Sequence, residues 1–154
     1  MAGPRGTGGA GLPVLFRLFN EIGIIDQLAR NRFERVMPQA MSVAQFSVLN
    51  HFVRLGGERS LADLARSFQV SRAAMTKLAR KLEESGLVRV RDNPGDGRGK
   101  LVSISARGAR AHQEAVAALA PTFSELARAF STDEINRLLP TLEKVRVWLD
   151  THRT

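Results

Sequence analysis

Midway along this chain the spacing of the apolar residues changes twice, and that double change narrows the folds open to it. Up to Ser85 they recur every three or four positions, as on one face of a helix. In Leu87-Val88-Arg89-Val90-Arg91 they alternate with basic residues, and Leu101-Val102-Ser103-Ile104-Ser105 alternates less cleanly, which predicts two strands. The stretch 92–100 between them holds Asn93, Pro94, Gly95, Gly97 and Gly99, the residues of a tight hairpin tip. From Ala106 the three-and-four spacing returns. The chain is therefore mainly α with a small β wing, and the wing follows directly on a pair of helices.

Start and stop signals divide the helical parts. Leu15, Leu18, Phe19, Ile22, Ile25, Leu28 and Phe33 mark one long helix over 12–37, closed by Pro38, which pushes its predecessor out of helical geometry. About 26 residues at 1.5 Å each make a rod of roughly 39 Å, long for a compact monomer. Ser42 with Gln45 forms a capping box for a second helix to Leu55, stopped by Gly56-Gly57. Ser60 with Asp63 is a weaker start signal for a short helix whose face is Leu61, Leu64, Ala65 and Phe68. After a turn at Gln69-Val70, Ser71 caps the helix of 71–85, and Gly86 stands where a left-handed cap belongs. A further helix covers 106–128. Ser131 and Glu134 then box the last one, with the stripe Ile135, Leu138, Leu139, Leu142, Val145 and Leu149. The organisation expected is a flexible arm (1–11), an N-terminal dimerisation helix (12–41), a winged helix-turn-helix (42–105) and C-terminal dimerisation helices (106–154), all in one structural domain.

Two helices joined by a three- or four-residue turn place the second helix in the DNA major groove. Here Met75, Leu78 and Leu82 face inward. Arg72, Ala73, Thr76, Lys77 and Arg80 face outward behind the cap Ser71. That face offers cations for guanine edges and phosphates, a hydroxyl, and one small side chain for close approach. At the wing tip, Arg98 between Gly97 and Gly99 suits a narrow A·T-rich minor groove. Asp96 is placed either to pair with Arg98 or to remain a solvated turn residue. The charge agrees: residues 54–110 carry 13 Lys/Arg against 6 Asp/Glu, and the remainder 10 against 9, so nearly all of the net +8 lies around these elements. A local basic surface between neutral ends is the footprint of nucleic-acid binding.

The segment LADLARSFQVSRAAMTKLARKLEESGLVRVRDNPGDGRGKLVSISARG resembles the DNA-binding core of the MarR (multiple antibiotic resistance regulator) family. The similar features are Ser71 and Thr76 on the reading helix, Leu82-Glu83 before Gly86-Leu87-Val88, the Asp96-x-Arg98 wing motif, and Gly108 after the second wing strand. Gly97, where the wing often has a second basic residue, and Ala73, where a polar residue is common, depart from that pattern. The resemblance implies a triangular homodimer on a pseudo-palindromic operator in double-stranded DNA. It also implies repression of nearby genes, often relieved by a small, frequently aromatic effector. The alternative within the same fold is a non-specific architectural DNA-binding protein.

An effector pocket is expected where the first, second and fifth helices converge, lined by Arg17, Asn20, His51 and Phe52, although the same residues also suit simple packing. His51, His112 and His152 are far apart and the chain has no cysteine, so no metal site, cofactor or thiol switch is expected. No nucleophile or paired-carboxylate motif points to an enzyme. No stretch reaches the roughly 18 uninterrupted apolar residues of a membrane span, and the expected location is the cytoplasm.

Overall fold

The computed structural model describes residues 11–152; the expected arm, apart from Gly11, lies outside the described residues. Gly11 already belongs to the first helix, α1 (Gly11–Val36). Pro38 opens a 3₁₀ turn, Pro38–Ala40, in which Gln39 and Ala40 adopt φ of +56° and +53°. The flanking Met37 and Met41 are buried. There follow α2 (Val43–Leu55), β1 (Arg59–Ser60), α3 (Leu61–Phe68), α4 (Arg72–Glu84), β2 (Val88–Asp92), β3 (Lys100–Ile104), α5 (Ala106–Ala129) and α6 (Thr132–Thr151). The mainly α fold with a β wing is as expected. Beyond that expectation, the sheet has three strands in the order β1-β3-β2, because Arg59 and Ser60 pair with Val102 and Leu101.

The chain divides into two compact units, 1–116 and 117–154, with α5 running through the division. The core of the first unit is Val48, Leu49 and Phe52 of α2, Leu64 and Ala65 of α3, Met75, Ala79 and Leu82 of α4, and Val88 and Val102 of the wing strands. Local chemistry fixes its helix ends. Ser42 and Gln45 make both bonds of the predicted capping box. The Ser60 hydroxyl accepts from the Asp63 amide, and that of Ser71 from Ala74. α3 ends in a left-handed residue, Gln69 (φ +54°), whose neighbour Val70 bonds back to the Ala65 carbonyl. α4 ends likewise: Gly86 takes φ +71°, the Leu87 amide reaches the Leu82 carbonyl at 2.8 Å, and the Gly86 amide reaches that of Glu83 at 2.8 Å. These two caps set the turn between α3 and α4 and turn the chain from α4 into the wing.

One inward position differs from expectation. Met75, Ala79 and Leu82 are buried on α4, whereas Leu78 is half-buried. Of the expected α3 face, Leu64 and Ala65 are buried, whereas Leu61 and Phe68 are half-buried. In the second unit, Ser131 and Glu134 form the predicted box at the start of α6, and Pro121 and Pro140 are accommodated inside α5 and α6.

Candidate nucleic-acid interface

The reading helix α4 is fastened by its apolar side. That leaves Arg72, Ala73, Thr76, Lys77 and Arg80 exposed on the opposite side, behind the cap Ser71. The Thr76 hydroxyl donates to the Arg72 carbonyl at 2.8 Å, so toward a ligand it offers only acceptor lone pairs. No carboxylate pairs with Arg72, Lys77, Arg80 or Arg98 among the described residues, and all four are exposed.

Three other basic residues of the same unit are paired with carboxylates. Arg91 holds Glu58 through two bonds of 2.8 and 2.5 Å, which depress the Glu58 carboxyl below its ordinary range and clip β2, the first wing strand, to the loop before β1. Lys100 pairs with Asp92 where the strands enter the tip loop, and it lowers the pKa of that carboxyl too. Arg66 pairs with Asp63 at 3.1 Å. These three are exposed but paired, whereas Arg72, Lys77, Arg80 and Arg98 are exposed and have no carboxylate partner among the described residues.

At the wing tip, Asp96 neither pairs with the Arg98 guanidinium nor stays unengaged. Its carboxylate accepts the Arg98 backbone amide at 3.2 Å, and its carbonyl accepts from Gly99 at 2.9 Å. Asn93 makes a similar turn with Gly95 at 3.0 Å. Asp96 therefore shapes the loop and leaves the Arg98 side chain free. A β-carbon on Gly97 would meet nothing within 4 Å, so the tip has clearance for a close partner.

The residues expected around an effector are placed differently from one another. Arg17 and Asn20 are exposed on α1. Phe52 is fully buried in the core. His51 is half-buried against the rings of Phe52 and Phe68, with centroids 5.8 and 5.5 Å away. Its Nε2 has no hydrogen-bond partner, and burial, with Arg59 and Arg54 nearby, lowers its pKa. His112 is buried, stacks on Phe46 at 5.1 Å and bonds through Nε2 to the Asn50 side-chain oxygen at 3.0 Å. Among the described residues no group of three potential ligands could hold a metal ion.

The sequence did not indicate a groove of about 670 Å³ beside α4. Its lining includes Ser42 and Gln45 of the α2 cap, Val70, Leu78, Lys77, Lys81 and Arg30. Arg30 is engaged by Asp26 at 3.2 Å, whereas no carboxylate pairs with the two lysines among the described residues.

A helix-turn-helix followed by a wing, with unpaired cations on both reading elements, defines a winged-helix DNA-binding protein. Residues 41–99 match the family model described as MarR family. The transcriptional regulator BldR from Sulfolobus solfataricus is 26% identical, with a TM-score of 0.76 over 88% of this chain and 96% of its own. A MarR mutant from E. coli complexed with operator DNA is 26% identical, with a TM-score of 0.73 over 85% and 94%. The PcaV transcriptional regulator from Streptomyces coelicolor, in complex with its natural ligand, shares the fold at 18% identity and a TM-score of 0.66 over 95% and 96%. No curated protein matches the sequence. Over residues 41–99 the chain is therefore similar to the MarR family, and its fold is the one shared by these transcriptional regulators. Among the described residues, no helix is long and apolar enough to cross a membrane.

Proposed function

We propose that the protein is a homodimeric, sequence-specific repressor acting in the cytoplasm on a pseudo-palindromic operator. Ser71, Arg72, Ala73, Thr76, Lys77 and Arg80 would meet the major groove, and Arg98, on the loop shaped by Asp96, the adjoining minor groove. The carrying observation is that Arg72, Lys77, Arg80 and Arg98 lack carboxylate partners while Arg66, Arg91 and Lys100 have them. Unpaired exposed cations repel one another and find their counter-charges on phosphates and base edges. The E. coli relative bound to operator DNA supports this reading. The deciding experiment is the affinity for a selected operator against random duplex. A ratio of about 10³ or more supports a specific regulator, and a ratio near one supports the architectural alternative.

Control by a small organic effector is the second half of the proposal, supported by the ligand-bound relative of the same fold. The groove beside α4 has the volume of a small-molecule site. Its apolar walls and two lysines suit an aromatic acid. Because Lys77 belongs both to the groove and to the reading face, an occupant there would compete with DNA. The residues expected from the sequence, Arg17, Asn20, His51 with its unpartnered Nε2, and Phe52, are the second candidate. Titrating aromatic carboxylates against Lys81→Ala and Arg17→Ala proteins separates the two. If no compound both binds and shifts DNA affinity, the reading becomes constitutive repression.

A further inference from the structure

We infer that the hydroxyl of Ser105 sets the angle between the reading helix and the wing, and through it the selectivity of DNA recognition. This rests on α4 and the wing being the DNA-reading elements. Ser105 lies where three elements meet: the end of α4 at Gly86 and Leu87, the base of the wing, and the start of α5. It is buried. Its hydroxyl donates to the Gly86 carbonyl at 2.6 Å and accepts from the Gly108 amide at 2.9 Å. Its own amide donates to the Leu87 carbonyl at 3.1 Å, and its carbonyl accepts from Ala109 at 2.9 Å. One side chain thus caps α5 and ties that cap to Gly86, in the turn that ends α4.

Besides the backbone bond from the Ser105 amide to Leu87, α4 is held along its length by apolar contact, with Met75, Ala79 and Leu82 packed into the core. Apolar contact is non-directional and tolerates a small roll or tilt. A short hydrogen bond to a carbonyl is directional, and an unmatched buried acceptor is costly. The lever is long. Arg72 lies about 20 Å along the helix from Gly86, so a tilt of roughly 10° at the joint moves the reading end by about 3.5 Å. Such a shift exceeds what a base-edge hydrogen bond survives, but long lysine and arginine side chains can still follow phosphates across it. Loosening the joint is therefore expected to lower selectivity more than total affinity.

The test uses the full-length protein, its best duplex selected from a random-sequence library, and random duplex of equal length. Ser105→Ala is expected to lower the selected-to-random affinity ratio about tenfold while leaving the salt dependence on random duplex unchanged. Ser105→Thr keeps the hydroxyl and should keep the ratio. Ser105→Asp keeps an acceptor to cap α5 but has no hydrogen for Gly86, so it should lose selectivity as alanine does. An aspartate protein as selective as the wild type would show that the α5 cap alone matters, and would overturn the inference; so would equal loss in the alanine and threonine proteins. If alanine prevents folding, Ser105→Cys, similar in shape with a weak donor, replaces it: a lowered ratio supports the tie and an unchanged one overturns it. A wild-type ratio near one instead removes specific reading itself, and the inference with it.

Discussion

A β-carbon on Gly108 would stand 1.9 Å from the carbonyl oxygen of Leu87, so the first turn of α5 meets the chain leaving α4 at a distance only glycine permits. The obstructing atom is backbone, already engaged by the Ser105 amide, and the Ile104 side chain closes the space at 2.9 Å. Gly108→Ala should therefore destabilise the protein by about 1–3 kcal/mol, seen as a lower urea midpoint. An unchanged midpoint would mean the two segments are not in this contact.

The outward cations should separate by role. Lys77→Ala or Arg80→Ala should cost about 1–3 kcal/mol of operator binding and relax preference at one base pair if that side chain reads a base. Arg98→Ala should weaken binding mainly where the flanks are A·T-rich. Quantitative footprinting on operators with varied flanks checks both, and unchanged affinity in all three proteins contradicts the interface.

Operator binding should depend strongly on salt. Neutralising roughly 6–10 phosphates costs about 10³–10⁵ in affinity between 50 and 200 mM salt. A flat titration over that range would end the DNA-binding proposal.

Stability should fall below neutral pH because of two histidines. Burial lowers the pKa of His112, and burial with Arg59 and Arg54 lowers that of His51. The unfolded chain then takes up protons at its ordinary value of about 6.5 while the folded chain does not yet do so. Stability is complete above that pH and is lost progressively as the pH falls toward the depressed folded values. Urea midpoints at pH 7.5 and 5.5 should show the drop, and His112→Gln, neutral throughout, should reduce it. A drop equally large in His112→Gln and His51→Gln proteins would place its origin elsewhere.

Self-association should be tight. Phe16, Phe19 and Ile25 on α1 are exposed in the first unit, as are Phe123, Leu138 and Trp148 in the second, a large apolar surface for a monomer. A two-fold dimer then requires half-sites about 10 bp apart. Sedimentation showing a stable monomer at micromolar concentration would contradict this.

Much of the fold was legible in the sequence because it rests on interactions within a few residues. The capping serines 42, 60, 71 and 131 bond amides three positions on, Gly86 turns the chain by its own backbone freedom, and the change of apolar period reports the wing. The outward face of α4 followed for the same reason, since a helix distributes its side chains by its own geometry. Other features depended on residues distant in sequence. β1 is two residues long and carries no period; it exists only because β3 lies alongside. Met75 has apolar partners at both i+3 and i+4, and packing against α2 and α3 selected Ala79 over Leu78 for the core. Glu58 meets Arg91 across 33 positions, and Ser105 meets Gly86 across 19. The sequence by itself determined which elements form and which face of the reading helix is basic, because those follow from near neighbours. Tertiary structure alone decided that Glu58 neutralises Arg91 and how the helix is fastened to the wing, because only folding brings those distant partners within hydrogen-bond reach.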